Sequence, residues 1–236
     1  MNDLTTIKEN IQNWNLNRNG KNAIKFLNSG NGFLISENDF KNWSEIKTTP
    51  NNINCYLAIN KNNDFVIYLV DDITDSSGNY TVGVNLFEKR FEEYFDNLPG
   101  LSNSLLKSTL PPSEADSRIT NWVLCSNAWI CHKQSLRQEK ESVEQGEMVQ
   151  VFTIPFLDLK DLFINKKFEN LKATFALKYY ETKEVQGYDM EVILAKTDFN
   201  NDPEAGVSLV KESFADMSEP YPPNSMFKRN FNLLSR

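Results

Sequence analysis

The chain resembles itself. A diverged internal repeat constrains its fold more than any other feature, because two copies of one unit must bury equivalent side chains in equivalent places. Phe33, Ile35, Asp39 and Lys41 recur at identical spacing as Phe152, Ile154, Asp158 and Lys160. After a similar gap the run from Ile53 to Ile59 lies against Lys172 to Lys178, which sets Tyr56 against Phe175. The apolar stretch Phe65 to Val70 then answers Met190 to Ala195, and Gly83-Val84-Asn85-Leu86 with Phe91 answers Gly206-Val207-Ser208-Leu209 with Phe214. Even Ile11-Gln12-Asn13-Trp14 is echoed by Ile119-Thr120-Asn121-Trp122. Each block alone is weak. Their shared order points to a first unit over 1–104 and a second over 105–236, packed as two domains or as one.

Local patterns give each unit the approximate order α-β-α-β-β-α. Leu4, Ile7, Ile11 and Trp14 form one apolar stripe over residues 3–16, the spacing of a helix. In the second copy Pro111-Pro112 precedes Ser113 and Asp116, a helix start signal, and Ile119, Trp122, Cys125 and Trp129 mark a buried face running toward Lys140. Phe33 to Ile35 and Val149 to Ile154 read as strands entering short helices, one capped by Ser36 with Asp39 and one opened by Pro155. The apolar runs that follow read as antiparallel hairpins, with a turn at Asn60 to Asp64 and a longer loop at Tyr179 to Asp189. Leu86, Phe87, Phe91 and Phe95 then predict a last helix ended by Pro99-Gly100, with a shorter counterpart from Leu209 to Met217. The fold class expected is α+β, two tandem units related by a pseudo-twofold axis.

Composition narrows the function classes. With 236 residues, 40% hydrophobic and 12% aromatic, the chain can build a sizeable core and is unlike disordered sequences. A net charge of -7 argues against nucleic acid or anionic membrane as partner. No stretch approaches the apolar length of a membrane span, and the start of the chain, with Asp3, Lys8 and Glu9, is not that of a secretion signal. Cys55, Cys125 and Cys131 have no disulfide-framework spacing. A cytoplasmic location is expected.

No residue set carries a recognisable reaction. His132, the only histidine, is two helical turns from Cys125, about 10 Å by helix rise and too far for a nucleophile and its base. A structural zinc would need every Cys and His in the chain, so no metal and no cofactor is assigned. Asp198 to Asp202 begins like a calcium loop, but Pro203 and Leu209 stand where Gly and Glu belong. Asp71, Asp72 and Asp75 read as a solvated strand end, Cys125 and Cys131 as core thiols, and Gly30-Asn31-Gly32 as a turn. The basic pairs Lys166-Lys167 and Lys228-Arg229 read as solvated. Trp129, His132 and Tyr221 are the candidate contacts to a partner. The function expected is a non-enzymatic binding or interaction protein that uses the junction of the two units for a protein or small ligand. The alternatives are an enzyme with a carboxylate and tyrosine site at that junction, and an acidic inhibitor or immunity-type partner of a basic protein.

Overall fold

The apolar stripe at the start of the chain forms helix α1 (Leu4–Asn17), begun by the Asp3 side chain accepting the Thr6 N–H at 2.8 Å. Ile7, Ile11 and Trp14 are buried, and Trp14 Nε1–H donates to the Val149 carbonyl at 2.9 Å. The computed structural model describes residues 3–92, 112–138, 147–165, 170–181, 186–199, 207–216, 219–221 and 231–234.

After a short helix α2 (Ala23–Leu27), strand β1 (Gly32–Ser36) runs into α3 (Glu37–Ser44) through a capping box in which Ser36 and Asp39 bond reciprocally. Strands β2 (Asn52–Ile59) and β3 (Phe65–Asp71) form a hairpin whose turn places Asn63 at φ 67°, a conformation Asn tolerates. A one-turn helix α4 (Asp72–Ser77), closed by Gly78 at φ 73°, leads to β4 (Leu86–Arg90). The second half opens with the long helix α5 (Pro112–Leu136), then β5 (Val151–Pro155) and α6 (Phe156–Lys160), which widens into a π-helical turn (Asp161–Asn165). Strands β6 (Asn170–Glu181), β7 (Gln186–Phe199), β8 (Val207–Asp216) and β9 (Glu219–Tyr221) follow, and a 3₁₀ turn (Asn232–Leu234) comes last.

The architecture is mixed α+β with two antiparallel sheets, ordered β1-β6-β7-β8 and β4-β3-β2-β5-β9. Each half lends its first strand to the other half's hairpin: β1 pairs with β6, and β5 pairs with β2. The sheets also meet at both edges. Glu92, just past β4, bridges Gly32 of β1, while β8 on one sheet leads into β9 on the other.

Alternation sorts the side chains by face. Ile53, Cys55, Leu57 and Ile59 of β2, Phe65, Ile67 and Leu69 of β3, and Leu171, Ala173, Phe175 and Leu177 of β6 belong to one large core with Trp14, Trp122 and Phe152. Tyr56, Ala58, Val66 and Tyr68 point the other way, to a second cluster with Ile7, Ile11 and Leu233. Ala176, Ile193 and Ala195 meet Ala115 of α5 in a third. A buried Arg18 closes the far end of α1: its guanidinium bonds Glu147 and the Met148 carbonyl, and Arg137 of α5 reaches the same Glu147. Burial alone would raise the Glu147 carboxyl, but the Arg18 and then the Arg137 charges hold it below its usual range.

Several expectations are corrected. Residues 86–90 are strand rather than helix, since Phe87 joins the inner core with Phe91 while Leu86 faces outward, and β4 supplies hydrogen bonds that β3 would otherwise lack. Residues 207–216 form β8 where a helix is expected from Leu209, again completing a neighbour's ladder. Phe95 and Pro99-Gly100 lie outside the described residues. On α5, Ser126 is buried and Cys125 and Cys131 are exposed, so only Cys55 is a core thiol. The β6–β7 hairpin continues further than expected, pairing out to Glu181 and Gln186.

Candidate functional site

Asp75 is fully buried, and the chain surrounds its carboxylate with donors. Asp71 sets this up from the end of β3: its Oδ1 accepts the Ile73 and Thr74 N–H groups at 3.1 and 2.8 Å, which starts α4 and turns Asp75 inward one helical turn later. From β2, on the outer face of the sheet, Asn54 Nδ2 donates to Asp75 Oδ2 at 2.7 Å and the Tyr56 hydroxyl donates to the same oxygen. The Tyr80 hydroxyl donates to Oδ1 at 2.7 Å. From the far end of the chain the Leu233 N–H also reaches this carboxylate, and the Asn232 side chain bonds Tyr80.

Electrostatics at the cluster follow from its dryness. Burial pushes the Asp75 carboxyl above its usual range, although the bonds from Tyr56, Tyr80 and Asn54 pull the other way. Burial first, then the Asp75 charge, push the Tyr56 phenol far up; for Tyr80 burial is again first, followed by its bond to Asp75. Both phenols therefore act as donors at neutral pH. Asp71 and Asp75 are thus buried where solvated acids are expected, because α4 folds them back over β2.

The cluster fixes one wall of a groove of about 660 Å³ lined by Leu4, Thr5, Lys8, Glu9, Gln12, Leu233 and Leu234. Its other wall is α1, itself held by Asn10 Nδ2 donating to the Tyr68 hydroxyl at 2.8 Å, which in turn donates to Glu88 at 3.0 Å. Residues from the two ends of the chain meet here. No residue spacing in the sequence signals the groove, since the 3₁₀ turn is a handful of residues without a pattern.

The structure separates the residues expected to contact a partner. Trp129 is buried, donates Nε1–H to the Tyr188 carbonyl at 2.7 Å, and packs edge-on against Trp122. It is a packing residue. His132 is exposed on α5, and Tyr221 ends β9 opposite Val151, its side chain outside the described residues. The Asp198 side chain, Asp202, Lys166-Lys167 and Lys228-Arg229 also lie outside them. Among the described residues no group of three or more His, Cys, Asp and Glu is placed to hold a metal ion, and no helix is long and apolar enough to cross a membrane.

A second displaced acid lies on α6. Burial first and then the Asp161 charge push Asp158 from 3.8 up to about 6, and its buried Oδ2 has no hydrogen-bond partner. Because the folded value is the higher one, its contribution to stability is fully present below the unfolded value and is lost as pH rises through about 6. Asp158→Asn should therefore raise the unfolding free energy by roughly 1 kcal/mol at pH near 7.5, a figure reduced for solvent screening, and leave it nearly unchanged at about pH 3, below the unfolded value. Urea denaturation at the two pH values reads this directly, and an equal effect at both would contradict it.

Comparison with protein-family models, with curated proteins and with solved structures finds no match to this chain.

Proposed function

We propose that the chain is a non-enzymatic binding protein made from two diverged copies of one unit, and that it takes a protein or small ligand where the two copies meet at the groove between α1 and the C-terminal turn. The groove carries this reading. Its apolar floor of Leu4, Leu233 and Leu234 is edged by Thr5, Lys8, Glu9 and Gln12, and both walls are pinned from below by buried polar contacts. A surface held in place before binding loses less entropy when it binds.

Strand pairing supports the duplication. Exchanging β1 with β5, β2 with β6, β3 with β7 and β4 with β8 turns the four-stranded order into that of the other sheet without its edge strand β9. The register agrees: Phe33 pairs with Ala173, and Phe152 pairs with Cys55. This sets Cys55 opposite Ala173 as equivalents, one position from the match made on residue type, and it aligns Ile53, Cys55, Leu57 and Ile59 with Leu171, Ala173, Phe175 and Leu177, all in one core. The edges repeat as well, Glu92 bridging Gly32 as Tyr221 bridges Val151.

A second reading, an enzyme using a carboxylate and tyrosines, draws on the meeting of Asp75 with Tyr56 and Tyr80. It requires Asp75 to exchange a proton with a substrate, whereas the surrounding donors are the chain's own. The binding reading has the better support.

The test places two arginines in the groove, Thr5→Arg with Gln12→Arg, at helix-surface positions where Arg is well tolerated. A partner captured by the wild-type protein should bind this variant roughly tenfold more weakly, about 1.4 kcal/mol. Unchanged affinity would move the binding site elsewhere.

A further inference from the structure

We infer that the solvent face of α5 pairs, antiparallel, with the same face of a second copy of this chain, so that the protein forms a symmetric dimer. Ser117, Asn121, Leu124, Ala128, Cys131 and Ser135 follow one another at spacings of 4, 3, 4, 3 and 4, the repeat of a helix–helix seam. All are exposed except the half-buried Asn121. Trp122, Ser126, Trp129 and Lys133, on the opposite side of the helix, are buried against the rest of the chain. The repeat therefore lies on the side that the fold leaves open. Leu124 at its middle is 75% exposed and Val123 beside it 62%, two large apolar side chains that the core does not use.

Charge and symmetry select a second copy as the occupant. From Ile119 to His132 the chain has no Asp, Glu, Lys or Arg, although these make up 24% of its residues. A basic partner would be drawn to acids, which this stretch lacks, whereas two copies at -7 each repel least where charge is absent. The spacing also reads the same from either end. Laid antiparallel about a twofold axis level with Ser126, Leu124 of each copy meets Ala128 of the other, a large side chain against a small one, and Asn121 meets Cys131. At the flank, His132 comes beside Arg118 of the other copy, whose charge Glu114 and Glu191 already hold. The 25 residues of α5 run about 37 Å, enough to bury roughly 600 Å² on each copy. That is the low end for a specific interface, and the expected Kd is about 10–100 μM.

Sedimentation equilibrium on the full-length protein, from about 1 μM to 1 mM, tests the pairing. The wild type should pass reversibly from monomer to dimer, and Leu124→Lys, at a position too exposed to disturb the fold, should dimerise at least about tenfold more weakly. Thr5→Arg with Gln12→Arg, in the groove, should dimerise like the wild type. Cross-linking reads the direction. In the antiparallel pair the two copies of Cys125 stand about 3 Å apart along the helix direction and those of Cys131 about 15 Å apart. A short bis-maleimide should therefore join the Cys131→Ser protein through Cys125 and leave the Cys125→Ser protein monomeric, the buried Cys55 being out of reach. A wild type that stays monomeric, a dimer untouched by Leu124→Lys, a dimer lost in the groove variant, or equal cross-linking through the two cysteines would each overturn the inference.

Discussion

Replacing Asp75 by alanine should lower the stability of the fold by about 3 kcal/mol, chiefly because Asn54 and Tyr56 would keep buried donors with nothing to accept them. Two opposing effects set the size. Each unsatisfied buried donor costs about 1–3 kcal/mol, whereas removing a carboxylate that burial already disfavours returns part of that loss. The net loss corresponds to a fall in melting temperature of roughly 6–12 °C for a chain of this length. Asp75→Asn should fall less, since the Tyr56 and Tyr80 hydroxyls can rotate to accept from an amide while the Asn54 and Leu233 N–H groups cannot. Location is the sharper readout. The Leu233 and Leu234 amides should lose hydrogen-exchange protection while those around Trp14 keep theirs. The pH dependence follows from the raised carboxyl: the stability contributed by Asp75 is fully present below its unfolded value and is lost as pH rises through its higher folded value. That component should vanish in Asp75→Asn. A variant that melts like the wild type would show that the C-terminal turn is held by something else, and the groove would lose one of its pinned walls.

What the sequence displays, and what it hides, divides along the range of the interactions. Helix α1 is legible because its stripe and its cap are local, and the long α5 because its apolar spacing is, as are the Ser36–Asp39 capping box and the β2–β3 hairpin. The strand at 86–90 is not. Leu86, Phe87 and Phe91 fit a helical stripe as well as an alternating strand, and the choice is made by the hydrogen bonds of β3, a neighbour brought alongside through the α4 turn. The pairing of Tyr56 with Phe175 fails for a related reason. Residue type favours matching one aromatic with another, but facing is decided by parity along the strand, and Tyr56 points outward while Phe175 points inward.

The candidate site is hidden more deeply than the fold. Asp71, Asp72 and Asp75 look like the acids of an exposed strand end, and nothing near them in sequence says otherwise. Asp71 and Asp75 are buried all the same, and the setting of Asp75 depends on Tyr56 earlier in the chain and on Asn232 and Leu233 near its end. Cys125 and Ser126 show the same limit on a smaller scale. Both fit the α5 stripe within one residue, and the sheet beneath the helix selects Ser126. The sequence expects Asp158 as the counterpart of Asp39, yet its unpaired buried oxygen becomes apparent only with Pro155 in the capping position.

Gly32→Ala should be nearly as damaging as the loss of Asp75, by about 3 kcal/mol, and it tests how the sheets are joined. At Gly32 the first residue of β1 lies between two backbones: it pairs with Thr174 of β6 on one side and bridges Glu92 on the other. A Cβ there would stand 2.5 Å from the Ala173 carbonyl oxygen and 3.2 Å from the Thr174 Cα. Both are main-chain atoms in a paired strand, so neither can swing aside as a side-chain tip would. β1 must lift from β6, and the Asn31 carbonyl that accepts the Phe175 N–H at 3.0 Å would be drawn away with it. Gly30 repeats the constraint from the other side, its Cβ direction meeting the Glu92 backbone at 2.7 Å. Gly187 provides the control. A Cβ added there meets only the Tyr180 side chain, at 3.4 Å, which is ordinary contact. Gly187→Ala should therefore stay within about 0.5 kcal/mol of the wild type, while Gly32→Ala melts well below it and loses amide protection at Phe175 and Glu92 first. If the two variants melted together, the first strand would be free to shift on its neighbours, and the exchange of β1 between halves would not hold the two sheets in register.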